Sequence, residues 1–311
     1  MLSTLTIVLP IFAIIFAGWL ARRIGVLGPQ AGREINRYVV YLALPALLFD
    51  VVAVADWKAI WHPGFVAAFT LGVAIIFLLT LFVRMRAGRP LADAAIDGLN
   101  ASYGNTAYIG FPLTLAAIGP QGMPLTLIAS IITVCVLFAI AIVLIEIGVQ
   151  AQAHPLHIAR KVASSVLRNP LVLAPLLGAL VPILGLSLPS PAETFLKMLG
   201  GTAAPCALVS LGLFLAADKV AGEASGGTTA MLVGLKLLVQ PLVTWALVTW
   251  VFHLPPALGQ MAILLSALPT GTGPFMLAEL YEREARVTGQ VVLFTTVIAI
   301  VTLSAYLSFA H

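Results

Sequence analysis

Two short stretches gather polar groups inside sequence that is otherwise apolar: SYGNTAYIGFPL, Ser102–Leu113, and ALPTGTGPF, Ala267–Phe275. The first offers the Asn105 amide and the Thr106 hydroxyl, followed by Gly110 and Pro112. The second sets Thr270, Gly271 and Thr272 between Pro269 and Pro274. Proline lacks a backbone donor and clashes with the preceding helical turn, and glycine weakens a helix interior by roughly 1 kcal/mol against alanine. Both stretches therefore expose backbone donors and acceptors beside neutral side chains, which is the chemistry of holding a solute. A half-helix resuming after Pro112 or Pro274 would point its N-terminus inward, with free N–H groups and a partial positive charge that favour an anion. The C-terminal ends of the preceding half-helices favour cations, so this pattern alone does not choose the sign of the solute.

Charged residues within apolar runs are functional candidates by default. Asp50, near the end of one run, can accept a proton or bind a coupling ion, or else stand as an end-of-helix carboxylate at the interface. Lys236 can attract an anionic solute; the competing reading is a lysine that snorkels to the nearby cytoplasmic surface. Gln240, before Pro241, is a candidate for a helix–helix hydrogen bond or a site contact. Glu279 lies five residues past Pro274, placed to line an exit or to anchor at the interface. Asp97 and Glu146 read as interfacial. The five histidines fall outside the apolar runs or at their ends, and no HExxH, GxSxG or P-loop pattern occurs, so neither a metal, a cofactor nor a catalytic residue is expected.

The elements that must position these groups follow from composition. The 311 residues are 61% hydrophobic and 9% charged, against about 25% charged in a soluble domain. Mean hydropathy is +1.08. Lipid, not water, must cover such a surface. Ten apolar runs have the length of a membrane-spanning helix, near 2–21, 34–54, 63–84, 91–118, 124–147, 169–187, 192–216, 229–252, 257–281 and 288–309. The two polar stretches fall in the fourth and the ninth. The first run lacks a basic segment before it and a cleavage site after it, and reads as a retained helix. Cys135 and Cys206 lie in apolar runs, where small buried residues are expected rather than a disulfide. The net charge of +4 is scattered over short connections and does not point to nucleic acid. The connection 148–168 includes HIARKVASSVLR, which can lie amphipathically at the membrane surface.

Odd-numbered connections hold 13 of the 16 lysines and arginines. The positive-inside rule puts those connections in the cytoplasm and both termini outside. Prolines recur at nearly one offset: Pro10 with Pro170, Pro45 with Pro205, Pro112 with Pro274. Five spans being odd, a second set of five enters from the opposite face. Residues 1–147 and 169–311 are thus expected to be two inverted five-helix repeats joined by the linker 148–168, with broken helices in matching places. That pattern points to a secondary transporter with its site near the bilayer midplane.

Three motifs carry a resemblance to the auxin efflux carrier family, the plant PIN-formed carriers and their bacterial relatives. INRYVVYLALPALLFDVVA (Ile35–Ala53) resembles the family's second span, GNTAYIGFPL (Gly104–Leu113) its first crossover, and ALPTGTGPFMLAELY (Ala267–Tyr281) its second. The order and spacing of spans agree over essentially the whole chain. The resemblance implies a crossover fold in the cytoplasmic membrane, a scaffold and homodimer surface from spans 1, 2, 6 and 7, and a moving transport domain from the rest. It also implies a small organic anion whose carboxylate meets Asn105 and the backbone near Pro112 and Pro274. The central loop is short and the third span, Pro63 to Val83, has no acidic residue, so loop regulation and auxin itself are not implied. The competing function is a sodium- or proton-coupled symporter or antiporter of the same architecture. An intramembrane enzyme would need a convergent catalytic set that the spans lack.

Overall fold

The computed structural model describes residues 2–55, 61–150, 164, 168–216 and 226–309, with the side chains of 2–8 and 309 outside that description. The expected interfacial segment His157–Arg168 lies almost wholly outside the described residues, as do Lys58 and Lys219. In chain order the helices are α1 (Leu2–Arg23), α2 (Ala31–Ala53), α3 (Pro63–Arg86), α4 (Leu91–Ser102), α5 (Thr106–Ala117), α6 (Pro120–Val149), α7 (Pro170–Ile183), α8 (Ser190–Leu215), α9 (Gly226–Val251), α10 (Pro256–Ser266), α11 (Gly273–Leu280) and α12 (Ala285–Phe309). Among the described residues no strand occurs; one isolated antiparallel bridge joins Gly104 to Thr270. Six of the stretches, α2, α3, α6, α8, α9 and α12, are long and apolar enough to cross a membrane. Large apolar side chains such as Leu78, Phe82, Leu176, Ile183 and Trp250 face outward, as a lipid-covered surface requires. This is an all-helical, multi-pass membrane protein.

Two groups of helices pack around the breaks. In the first, α1 lies on α8, and α2 lies on α7 and α8. Glycines set these distances: a Cβ on Gly18 would stand 2.4 Å from Val209 O, and one on Gly178 would stand 2.6 Å from Phe49 O. Small residues let apolar helices approach closely where lipid gives no hydrophobic drive. In the second group α3 packs on α4, α9 and α10, and α4 on α6. Both broken helices belong to this group.

Proline positions account for three of the five π-helical segments among the described residues. Val39–Ala43, Thr106–Gly110 and Leu235–Val239 are π-helical, and Pro45, Pro112 and Pro241 each follow two residues later. The wider turn makes room for a ring that cannot donate and would otherwise clash. The expectation that a half-helix starts after Pro112 is corrected here. Helix resumes at Thr106, and the π turn absorbs the proline inside it.

Candidate functional site: two breaks and the cavity between them

The breaks touch. The Asn105 N–H donates to Pro269 O at 2.8 Å and the Gly271 N–H donates to Tyr103 O at 3.0 Å. Each break thereby supplies partners for the backbone groups that the other has freed, as buried irregular backbone requires. The Thr270 hydroxyl donates to Asn100 O at 2.8 Å, and its N–H donates to Thr295 Oγ1 at 3.1 Å. The glycines are explained by Tyr103. Its ring lies across the second break, 2.8 Å from where a Cβ would stand on Gly271 and 2.7 Å from one on Gly273.

A small cavity of about 20 Å³ opens at this contact. The first break contributes Tyr103 to Tyr108 and the second Gly271 to Gly273. The opposite wall comes from the other helix group: Val39, Leu44 and Leu47 of α2, with Ala203 and Ala207 of α8. The cavity thus sits on the seam between the two groups. It has no charged side chain in its lining. The first turns of α5 and α11 both border it; the Thr106 N–H there donates to Gly104 O at 2.8 Å and the Met276 N–H to Thr272 O at 3.1 Å. The Thr106 hydroxyl is fully buried without a hydrogen-bond partner, as is the Tyr108 hydroxyl oxygen. Asn105 is buried, and its Oδ1 receives only a long bond, 3.4 Å, from the Tyr108 N–H.

Of the nine residues proposed from sequence to touch a solute, Asn105, Thr106, Gly271 and Thr272 line this cavity. Gly110, Pro112, Pro269, Thr270 and Pro274 do not line it; they shape the breaks. Gly110 packs under Leu268 and Thr126. The two tyrosines were missed, although both stand inside the quoted first stretch. The apolar wall from α2 and α8 carries no signal that a single sequence would separate from ordinary core.

The intramembrane polar residues divide clearly. Lys236 does not snorkel: it is fully buried, and its Nζ donates to Gln240 Oε1 at 2.6 Å and to Ser266 O at 2.7 Å. Gln240 makes the expected helix–helix bond, donating through Nε2 to Ser102 O at 3.1 Å. Asp97 is fully buried within the protein, with Arg84 Nε 2.6 Å from Oδ2. Neutralising Asp97 at a distance of 13 residues, Arg84 makes it half of an internal ion pair. Glu146 accepts from the Tyr281 hydroxyl at 2.7 Å. Asp50 is buried near the end of α2, outside the cavity lining, with Oδ1 unpartnered. Glu279 lines a separate pocket with Arg33, Asn36, Arg37 and Tyr41. Among the described residues no group of three or more His, Cys, Asp or Glu is placed to hold a metal ion.

A bundle of apolar helices, two of them broken and braced against each other around a small neutral cavity, defines an integral membrane transporter rather than an enzyme. The membrane transport protein family model matches residues 3–307, and the chain belongs to that family, the auxin efflux carriers. It is similar to a Rhizobium meliloti (strain 1021) protein named "Putative malonate transporter", 28% identical over 307 residues that cover 97% of this chain and 94% of that one. It is also similar to the "Uncharacterized transporter YfdV" of Escherichia coli (strain K12), 26% identical and covering 94% and 93% of the two chains. A rice protein (Oryza sativa subsp. japonica) named "Probable auxin efflux carrier component 5c" is 24% identical, with 88% and 87% covered.

Proposed function

We propose that the protein is a secondary transporter that carries a small organic anion across the cytoplasmic membrane by alternating access, with the solute carboxylate held where the two breaks meet. The observation that carries this reading is the cavity lining. It combines the first turns of two half-helices, the unpartnered Thr106 hydroxyl and Asn105, with no carboxylate to repel an anion. The partial positive charge of helix N-termini favours a negative solute there. A cation exchanger of the same shape would want acidic side chains facing the cavity, and the lining has none. The name of the Rhizobium relative supports a short dicarboxylate as the first solute to test. The cavity's place on the seam between two helix groups supports a cycle in which one group, carrying both breaks, moves against the other. On this reading the ten helical runs span the membrane as two inverted repeats, 1–147 and 169–311, with both termini outside. The group containing α1, α2, α7 and α8 is the scaffold through which a homodimer forms.

The test is malonate affinity of the purified wild type and of Asn105→Ala, with a melting curve for each. Loss of a hydrogen bond to a charged group costs about 1.5–3 kcal/mol, so affinity should fall roughly tenfold to hundredfold while melting stays near wild type. Wild-type affinity in a folded Asn105→Ala protein would remove the crossover from the solute path. Failure of malonate and of a panel of short carboxylates to bind the wild type would remove the anion assignment.

A further inference from the structure

α4 ends at Ser102 and α10 ends at Ser266, and both ends face one pair of side chains on α9. Lys236 Nζ holds Ser266 O at 2.7 Å, Gln240 Nε2 holds Ser102 O at 3.1 Å, and Lys236 and Gln240 bond to each other at 2.6 Å. A helix C-terminus carries about half a negative charge on its unpaired carbonyls. Two such ends meeting in a buried place make a cation site, and in transporters with broken helices such ends and unwound carbonyls coordinate the coupling sodium ion or proton. Here the cation belongs to the chain. Lys236 is fully buried, and among the described residues no carboxylate forms an ion pair with it. Its hydrogen-bond partners are the Ser266 carbonyl at the α10 end and the Gln240 oxygen, and Gln240 in turn holds the α4 end.

We propose that Lys236 is a resident cation: its ammonium occupies the position of a coupling sodium ion, so the crossover is assembled and charge-balanced without sodium. The ammonium sits directly behind the cavity. A Cβ built on Gly104, which lines the cavity, would stand 3.7 Å from Nζ. Glycine at that position puts no side chain of its own between the charge and the cavity. Lys236 is therefore a positioning residue that holds the α10 end directly and the α4 end through Gln240, and projects a positive field without touching the solute. One i, i+4 pair meets both carbonyl ends, and Gln240 with Ser266 O takes two of the three ammonium donors, which explains why Gln240 is buried with it.

The resident-cation role is independent of solute identity and adds only the field on the solute to the anion reading, so its test uses no carboxylate. Melting of the wild type, Lys236→Ala and Lys236→Met is measured in detergent in choline, potassium, sodium and methylammonium chloride at equal ionic strength. The wild type should melt at one temperature in all four. Lys236→Ala should lose several degrees in choline and regain them, saturably, in sodium or methylammonium, which fit the vacated space. Lys236→Met should stay low in every salt, because the side chain fills the space without charge. Cation-indifferent melting of Lys236→Ala would overturn the proposal, and so would sodium-specific stabilisation of the wild type. Should neither variant be recovered folded, the wild-type comparison of sodium with potassium still decides, indifference supporting and stimulation refuting it. Absence of malonate binding would leave this result standing and fall on the anion reading alone.

Discussion

At the first break the chain leaves α4 at Ser102 and re-enters helix at Thr106 through a π turn; at the second it leaves α10 at Ser266 and stays out of helix until Gly273. The shorter break carries the side chains that face the cavity: two tyrosines, Asn105 and Thr106. The longer one carries two glycines that yield to Tyr103, Thr270, whose hydroxyl and N–H are both spent on neighbouring helices, and Thr272, its one polar side chain at the cavity. Backbone geometry is shared between the breaks, and side-chain chemistry is not. On the proposed reading the first break supplies most of the side chains that meet the solute, and the second mainly braces the first. Sequence symmetry between two broken helices therefore does not imply that they contribute equally to recognition.

Substitutions can break that division. The largest effect is expected from Gly273→Ala, whose Cβ would stand 2.7 Å from Tyr103 Cζ and 3.1 Å from Phe138. Overpacking of this kind costs about 1–3 kcal/mol, and transport should fall more than tenfold as Tyr103 is displaced. A Tyr103→Ala, Gly273→Ala double variant that melts no lower than Tyr103→Ala alone would confirm that the clash is with the ring; additive losses would deny it. Thr270→Val comes next. It leaves Asn100 O without its donor, a loss of about 1–3 kcal/mol in stability. Solute affinity should move less than threefold, the reverse of the pattern expected for Asn105→Ala. Equal affinity losses in the two variants would erase the distinction between the breaks. The smallest effect should come from Arg33→Gln. The Arg33–Glu282 pair, 2.7 Å long, lies at the rim with side chains 65% and 71% exposed, and exposed pairs contribute about 0–1 kcal/mol. Melting should be unchanged and transport altered less than twofold, with any difference fading in high salt.

The sequence reveals most where it violates its own surroundings. Prolines and glycines inside apolar runs mark both breaks, because nothing in lipid tolerates them without a partner, and the helices stand where the apolar runs do. What the chain conceals depends on contacts made far along it. Asp97 reads as interfacial until Arg84 reaches it, and Lys236 reads as surface-bound until Ser266, 30 residues on, presents its carbonyl. A lysine two turns from the end of a run is equally consistent with reaching outward or inward; only the location of the half-helix ends decides. The cavity wall of Val39, Leu44, Ala203 and Ala207 is written in the same letters as any helix contact. Pro112 misleads in a different way, since a π turn lets a ring sit inside a helix that the sequence rule would end.

The breaks are joined to each other by main-chain bonds, Asn105 N–H to Pro269 O and Gly271 N–H to Tyr103 O. Such bonds do not depend on which side chain a position carries. If the first break meets the solute as proposed, a lineage descended from this chain is free to exchange Asn105, Thr106 or Tyr108 for other residues and so alter what is carried, while the frame stays assembled. Diversification of cargo on one architecture is then a matter of changing a handful of codons at the first break, and the glycines opposite Tyr103 are the positions at which such drift must stop.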